Sequence, residues 1–343
     1  METIWSSTRI DYANYCRMKY FLRYVDKEEG LTLSVYAKGS LLHSLVENFW
    51  PSLGTEGEVA KNRNKKKYFD AESFGKYAER KWLQRIVADQ RSKNKIEWTY
   101  PDEKWVIRST LPLICKSLYD ILFEEGPPLF SELKFKFYHD GKRFRGRIDE
   151  VRVRDRKVVI RDYKSGKPWL GNIKIDHDPQ LTLYNVGLCS LCFTDKRFSE
   201  KIGISDEERR SFMGNPILVN PLFSMEFFMI EAPYYNSLEK NRSLDAILST
   251  SRSDNHFYEI IEMINGTISM VNSGRVYPEW GRKCDYCDMK VACEKKAGKP
   301  STDILINKEG QLSLSLMTPP RLDLLEEDTQ TRLRLRRNLK GKN

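Results

Sequence analysis

The amino-acid sequence predicts an α/β protein in which helices precede and follow a set of three strands. Three observations lead to this prediction. Apolar residues recur at helical spacing as far as about Phe123, and they alternate with polar residues after Gly126. Helical spacing then returns at about Asp178. An order of helices, strands and helices is typical of layered folds in which helices cover a sheet.

The first third of the chain is predicted to be mainly helical. Apolar periodicity indicates helices at residues 7–24 and 37–50, and a mostly helical stretch at 71–123. Polar residues near Asn94 and the proline at Pro101 interrupt the last of these. We therefore expect breaks in that stretch.

Three consecutive strands are predicted in the middle of the chain. Apolar and basic residues alternate over 133–137, which is the spacing of a strand with one buried face. Asp140-Gly141 is a turn signal, and further strands follow at 143–154 and 157–164. Strands joined by such short turns form a meander.

A helix is predicted directly after the meander. Asp178 as the cap and Pro179 in the first turn mark its start, and apolar residues continue it over 181–193. The remaining predicted elements are, in order, strands at 217–219 and 224–230 and mixed helical sequence over 238–271.

The composition favours an anionic partner inside a cell. The net charge is +10 and the sequence pI is about 9.1. A positive protein attracts polyanions, but this charge does not by itself identify nucleic acid as the partner. No apolar run approaches the roughly 18 residues that cross a bilayer, and the first residues lack a secretory signal. We therefore expect an intracellular protein without a membrane partner, in the cytoplasm or nucleoid, or in the nucleus or mitochondrion of a eukaryote.

Two acidic residues and a lysine are placed to form a catalytic centre. In the third strand Asp162 and Lys164 share one face because side chains alternate. In the second strand the apolar phase slips at Asp149-Glu150, and we expect a bulge that re-aims Asp149. If the carboxylates of Asp149 and Asp162 converge, they would bind magnesium or manganese. A divalent metal beside a lysine suits phosphodiester hydrolysis. An isolated Asp-x-Lys would more often be an exposed ion pair.

Longer motifs surround these residues. They are Gly146-Arg147-Ile148-Asp149 and Ile160-Arg161-Asp162-Tyr163-Lys164-Ser165-Gly166. Four further residues belong to the pattern: His43 after a glycine, Glu132 at the start of the first strand, and Gln180 with Tyr184 on the following helix. Together these motifs resemble the PD-(D/E)XK nucleases of the RecB type.

The resemblance implies a restriction-endonuclease-like core, which is a central mixed sheet flanked by helices, with a helical insert. The metal ligands that it implies are His43, Asp149, Asp162 and, through its backbone carbonyl, Tyr163. The catalytic residues that it implies are Asp149, Asp162, Lys164, Gln180 and Tyr184. In these roles Lys164 assists the attacking water, and Gln180 and Tyr184 position the substrate.

Four cysteines are candidates for a metal centre. Cys284-x2-Cys287-x5-Cys293 gathers three thiols, and a fourth ligand from elsewhere would complete a zinc or iron–sulfur site. Residues 6–21, which contain Cys16, resemble the start of iron–sulfur nucleases such as AddB and the CRISPR-associated RecB-like family. This resemblance implies a 4Fe-4S cluster that these four cysteines bind and that staples the two ends of the chain together.

Two features leave alternatives open. Arg17 stands where the family often has a proline, so we expect a different local turn. Cys189-x2-Cys192 could join the Cys284 pair in a zinc-ribbon-like set. However, Cys189 and Cys192 lie in an apolar helical run, where a buried free thiol is the ordinary outcome, and the same holds for Cys115. The odd total of seven cysteines also argues against a disulfide framework.

The resemblance divides the chain into five segments. They are an N-terminal segment with the first cluster cysteine (1–35), a helical region with the histidine motif (36–128), the nuclease core (129–272), a segment with three cluster cysteines (273–299) and a flexible basic tail (300–343).

The predicted function is metal-dependent hydrolysis of DNA, as an exonuclease on single strands or free ends, in repair, recombination, replication or CRISPR-type processing. The main alternative is a non-catalytic iron–sulfur or zinc DNA-binding subunit of a larger complex, and a third is a zinc-dependent interaction module. No G-x-x-x-x-G-K-[ST] motif is present. We therefore expect the protein to act alone or with a helicase or other DNA-processing partner.

Overall fold

The structure is a computed structural model. It describes residues 3–50, 70–92, 95–155, 157–165, 173–211, 219–220, 223–238, 244–297, 305–306 and 312–313. The chain divides into two compact units, Met1–Cys293 and Glu294–Asn343. The first unit contains every predicted site residue. Most of the predicted tail lies outside the described residues, apart from two short strands that pair with each other.

The chain contains ten strands and twelve α-helices in its described residues. The strands are, in chain order, β1 (Ile4–Trp5), β2 (Thr32–Leu33), β3 (Ile96–Glu97), β4 (Phe130–His139), β5 (Lys142–Arg154), β6 (Lys157–Lys164), β7 (Ser224–Met229), β8 (Ile247–Thr250), β9 (Leu305–Ile306) and β10 (Leu312–Ser313). The helices are α1 (Ser7–Tyr15), α2 (Arg17–Tyr24), α3 (Ser34–Glu47), α4 (Ala71–Arg91), α5 (Glu103–Glu125), α6 (Ile173–Asp176), α7 (Pro179–Thr194), α8 (Lys196–Lys201), α9 (Asp206–Ser211), α10 (Ala232–Leu238), α11 (Asp254–Ser273) and α12 (Lys290–Ala297). In the described ranges, no helix has both the length and the apolar character needed to cross a membrane.

Six strands form one mixed sheet. The order is β1-β5-β6-β7-β8, and β4 pairs with β5 on its other edge. The predicted meander is confirmed, since β4, β5 and β6 are antiparallel neighbours. β7 runs parallel to β6, and β1 runs parallel to β5. The mixed sheet flanked by helices is therefore confirmed.

Helices cover both faces of this sheet. On one face, α1, α7 and α11 pack onto apolar side chains that include Ile148, Ile160 and Phe227. On the other face, α3, α4 and α5 pack onto Tyr163 and Phe228. Because β6 and β7 bury side chains on both faces, they form the centre of the fold, and this apolar burial supplies its main stabilisation.

The predicted change of phase in β5 is present, but the predicted bulge is wrong. Ile148 and Val151 contribute to the same core cluster although they are three residues apart. The pairing register with β4 is nevertheless the same on either side of Asp149. No residue is inserted in either strand, because Glu132, opposite Asp149, takes up the change with a left-handed backbone, φ 56°.

Two predicted helical segments differ from the structure. The helix predicted over 7–24 is broken, because Cys16 between α1 and α2 has an extended backbone. The sequence predicted as mixed helical over 238–271 contains β8, which is too short for its alternation to be recognised. The strand predicted at 217–219 lies outside the described residues except for Val219, which is not in a strand.

Two glycines leave room for one buried aromatic ring. A Cβ added at Gly146 would lie 2.3 Å from the ring of Phe135, and one added at Gly187 would lie 2.4 Å from it. Phe135 is 2% exposed. The ring therefore has no room to move away, and the contact between β4, β5 and α7 depends on both glycines.

We predict that Gly187→Ala destabilises the protein by about 1–3 kcal/mol, because the added methyl group overpacks the core. Urea unfolding measures the change. Gly266→Ala is the matched control, since Gly266 is also inside a helix and no described atom lies within 4 Å of an added Cβ. This control should be about 0.5–1 kcal/mol more stable than wild type. Equal effects of the two substitutions would contradict the packing described.

Candidate active site

The sheet forks next to the predicted catalytic residues. On one edge, β5 pairs with β6 at residues 150–154 and with β1 at residues 143–144. Among the described strands, none pairs with this edge at residues 145–149. β6 continues past the fork beside β7. Asp149 on β5 and Asp162 on β6 are therefore the first residues on the two arms of the fork.

The Asp149 side chain takes the place of a backbone hydrogen-bond acceptor at the fork. Where β5 and β6 separate, the backbone N–H of Tyr163 donates to Asp149 Oδ2 at 2.9 Å, so the buried donor stays satisfied. Asp149 is 8% exposed, and burial together with the nearby Asp162 carboxylate raises its pKa well above the usual range. The two carboxylates repel each other unless a proton or a cation lies near them.

Lys164 is held by one acid and one amide. Its Nζ lies 2.7 Å from Asp162 Oδ2 and donates to Gln180 Oε1 at 2.6 Å. Gln180 Nε2 in turn donates to the Tyr184 hydroxyl at 2.6 Å. Burial lowers the pKa of Lys164, but nearby acids, chiefly Asp162, outweigh burial and hold this pKa above its ordinary value. Lys164 is therefore a fixed positive charge beside the fork.

The start of α7 sets the orientation of these amide and phenol groups. The Asp178 side chain caps the helix by accepting a hydrogen bond from Gln180 N, and Pro179 occupies the first turn, as predicted. Gln180 and Tyr184 are four residues apart and therefore lie on the same side of the helix.

A close helix contact brings His43 to the fork. Gly39 of α3 packs on the end of β6, where an added Cβ would lie 2.5 Å from Ser165 Oγ. One turn later, His43 Nδ1 lies 3.8 Å from Asp149 Oδ2. Burial lowers the pKa of His43, which favours the neutral imidazole that binds metals.

Two acids were not identified as metal ligands from the sequence. Glu47 follows His43 by four residues on α3, and Glu132 is the left-handed residue of β4. Carboxylate oxygens of Glu47, Glu132 and Asp149 lie within 4.8 Å of one another. Burial and the facing Glu132 carboxylate raise the pKa of Glu47 to about 7. The spacing of four from His43 is the signal that could have indicated Glu47.

One cavity of about 940 Å³ collects these side chains. The predicted residues that line it are His43, Asp149, Asp162, Tyr163, Lys164, Gln180 and Tyr184. The structure thus brings together every residue predicted for the divalent-metal centre. The side chain of Tyr163 extends from the opposite face of the sheet, where its hydroxyl donates a hydrogen bond to the Glu150 carboxylate.

One comparison with known proteins agrees with this geometry. A model of the PD-(D/E)XK nuclease superfamily matches residues 4–294. The chain belongs to the PD-(D/E)XK nuclease superfamily. No curated protein matches the sequence. The crystal structure of a candidate exonuclease from Eubacterium rectale is similar over 86% of this chain and 89% of that chain, with 14% identity and a TM-score of 0.35. At this TM-score the likeness supports no conclusion.

The donor set fits the hard divalent cation that PD-(D/E)XK nucleases use. Carboxylate oxygens are preferred ligands of Mg²⁺ and Mn²⁺. Glu132 Oε1 is buried and has no hydrogen-bond donor among the described residues. It belongs to the group of three carboxylates beside the fork, and a cation there would neutralise their mutual repulsion.

The predicted cluster cysteines line a second cavity, of about 20 Å³. Cys16 reaches it from the break between α1 and α2. Cys284 lies in a short 3₁₀ helix, Arg282–Tyr286, and Cys287 directly follows that helix. Cys293 lies on α12. All seven cysteines lie in the described part of the chain, and none forms a disulfide.

The other three cysteines are buried in the apolar core, as predicted. Cys189 and Cys192 lie on α7 in the core of one sheet face, and Cys115 lies on α5 in the other. Burial raises the pKa of each thiol, that of Cys192 to about 12. Cys189 and Cys192 therefore do not join the Cys284 pair in a zinc-ribbon-like set, since that pair lines a different cavity.

We predict that Glu47→Gln stabilises the metal-free protein, because the amide removes one of the carboxylates that face each other beside the fork. In EDTA the melting temperature should rise by a few degrees. The further rise that Mn²⁺ gives to wild type should shrink, because the variant binds the ion more weakly. Thermal unfolding followed by fluorescence measures both changes.

The matched control for this variant is Glu124→Gln, on the exposed surface of α5, which should change neither value. A lower melting temperature of Glu47→Gln in EDTA, together with a full Mn²⁺ response, would show that Glu47 plays no part in the metal centre.

Proposed function

We propose that the protein is a divalent-metal-dependent nuclease of the RecB type, which hydrolyses phosphodiester bonds in DNA as an exonuclease on single strands or free ends. The observation that carries the proposal is the fork, where Asp149, Asp162 and Lys164 meet in one cavity. Membership of the superfamily supports the reaction class.

The metal centre is proposed to lie between the arms of the fork. The proposed ligands of Mg²⁺ or Mn²⁺ are His43, Asp149, Asp162 and the backbone carbonyl of Tyr163, with Glu47 and Glu132 as additional acids. When bound, the ion lowers the pKa of a water molecule and neutralises charge on the phosphate. The hydrogen bond from Tyr163 N holds the Asp149 carboxylate in place before the ion binds.

Lys164 is proposed to act on the reacting groups. An ammonium group has three N–H donors, and Asp162 and Gln180 engage two of them. The third can donate to the attacking water or to a phosphate oxygen in the cavity. Because Lys164 is already fixed and charged, it stabilises developing negative charge without reorganising.

Gln180 and Tyr184 are proposed to position both the substrate and Lys164. Both side chains line the cavity, where DNA would lie. The chain of hydrogen bonds from Tyr184 through Gln180 to Lys164 also fixes the direction of the ammonium group. Their loss should therefore lower the rate of cleavage more than the affinity for metal.

We predict that Asp162→Ala and Lys164→Met both lower the rate of DNA cleavage severely, but by different routes. Asp162→Ala should weaken Mn²⁺ binding, because it removes a ligand. Lys164→Met should keep Mn²⁺ binding and lower kcat by about 10²–10³-fold, because it removes only transition-state stabilisation. Digestion of end-labelled single-stranded and duplex DNA measures cleavage, and calorimetry measures Mn²⁺ binding.

Two exposed residues provide matched controls for these variants. Asp120→Ala on α5 and Lys157→Ala at the opposite end of β6 should cleave like wild type. Unchanged cleavage by both site variants would mean that the activity belongs to another site or to a contaminant. DNA binding by wild type without any cleavage would favour the non-catalytic subunit.

We also propose that Cys16, Cys284, Cys287 and Cys293 bind a 4Fe-4S cluster. All four line the same small cavity. Four cysteine thiolates are the usual ligands of such a cluster.

The cluster is proposed to staple residues 1–35 to residues 273–299. β1 and α1 belong to the first of these segments, and β1 pairs with β5 next to the fork. Loss of the cluster would therefore release a segment that borders the catalytic cavity. Activity would fall through local unfolding and not through loss of a reacting group.

We predict that anaerobically purified protein is brown and contains about four iron and four sulfide per chain. Cys287→Ser should lose the iron and melt at a lower temperature, because metal binding is coupled to folding. Cys189→Ala, which changes a buried core thiol, is the matched control and should keep its iron. Colourless protein that contains zinc but neither iron nor labile sulfide would refute the cluster.

A further inference from the structure

A row of cations covers one face of the β4–β5 hairpin. In the strand register Lys134 lies opposite Arg147, and Lys136 lies opposite Arg145. Arg143 lies two residues from Arg145 on β5 and continues the row. All five side chains are exposed. They share one face because side chains alternate along each strand. We call these five residues the basic ladder.

The fold does not require this arrangement. The other face of the hairpin carries the apolar side chains that fill the core, such as Phe135 and Phe144, and a solvent-facing position tolerates many polar residues. Like charges directly opposite each other destabilise a strand pair. Lys136 faces Arg145 in this way, and Lys134 faces Arg147. Opposed cations that the fold does not require are typical of a surface that binds an anion.

The basic ladder leads into the catalytic cavity. Lys134, Arg145 and Arg147 line that cavity, and Lys136 and Arg143 continue the row away from it. Side chains on one face of a strand repeat about every 6.8 Å, since each residue advances about 3.4 Å. This interval is close to the spacing of successive phosphates along an extended nucleic-acid strand.

Exposed aromatic side chains accompany the cations. Tyr138 follows Lys136 on the same face of β4 and is 65% exposed. Tyr36 of α3 lines the cavity and is 49% exposed. The bases of a single strand can stack on such rings, whereas the bases of a duplex are already stacked on each other. This combination of cations and aromatic rings favours a single strand.

We propose that the basic ladder binds the backbone of single-stranded DNA and guides it into the fork, with a base stacked on Tyr138. The identity of the polyanion rests on the proposed nuclease function. The binding itself needs neither metal nor cleavage, so the two proposals can be tested separately.

The first test is the salt dependence of binding, measured by fluorescence anisotropy with a labelled oligothymidylate in EDTA. The test variant combines Lys134→Ala, Lys136→Ala and Arg145→Ala and keeps Arg147, which contacts Glu132 beside the metal centre. Each phosphate contact on a single strand contributes about 0.7 to the slope of log affinity against log salt. The slope should therefore flatten by about 2, and affinity at about 0.1 M salt should fall about 100-fold.

A matched control removes three cations from another exposed surface. It combines Arg80→Ala, Lys81→Ala and Arg85→Ala on α4 and should keep the slope and affinity of wild type. Urea unfolding checks the fold, and the ladder variant should be at least as stable as wild type because it loses opposed like charges. An unchanged slope in the ladder variant, or an equal loss in the control, would overturn the proposal.

The second test separates a single strand from a duplex. Tyr138→Ala should weaken oligothymidylate binding about fivefold at an unchanged salt slope, because stacking releases no counterions. Binding of a duplex of equal length should not change. Equal effects on both forms, or none on the single strand, would overturn the single-strand proposal.

Cleavage then separates the two proposals. Wild type that binds through the ladder but does not cleave DNA with Mn²⁺ would contradict the nuclease function and leave the ladder in place. A ladder variant that cleaves single strands with unchanged KM would overturn the ladder and leave the nuclease function in place.

Discussion

The separation of β5 from β6 is the constraint on which the rest of the structure depends. A longer antiparallel pair would satisfy its own backbone groups and leave no space between the strands. Glu150 and Arg161 are the last residues that pair, and the strands separate from Asp149 and Asp162 onward. The Tyr163 N–H therefore bonds to the Asp149 carboxylate, and a cavity forms between the arms. The same opening exposes the edge of β5 to β1, so the start of the chain enters the sheet beside the site.

Buried charges hold the strand pair together just before it opens. Arg161 has no exposed surface and bonds to Glu125 and Glu226 from the neighbouring helix and strand. Glu150 accepts a hydrogen bond from the Tyr163 hydroxyl. Removing one partner from such a buried pair costs about 3–5 kcal/mol, since the other charge is left uncompensated. Tyr163 connects this charged group to the fork, because its backbone N–H donates a hydrogen bond to the Asp149 carboxylate.

The sequence predicted those features whose signals are complete within a few residues. Alternation placed Asp162 and Lys164 on one face, and the meander and the cap at Asp178 were recognised from local spacing. The fork depends on β1 and β7, which are distant in the chain, so the local pattern suggested a bulge instead. The left-handed backbone of Glu132 has no sequence signal, since Glu, unlike Asp, is not enriched in this conformation. Glu47 has a local signal in its spacing of four from His43, but its approach to the fork also depends on how α3 packs on β6, which is a tertiary contact.

The central claim is that a divalent cation binds at the fork, between Asp149 and Asp162. Crystals grown with Mn²⁺ and measured at the manganese absorption edge would locate the ion directly through its anomalous scattering. We expect a peak in contact with one carboxylate oxygen from each of these two residues. A peak bound only by Glu47 and Glu132, or crystals that contain Mn²⁺ at other sites and none at the fork, would contradict this claim.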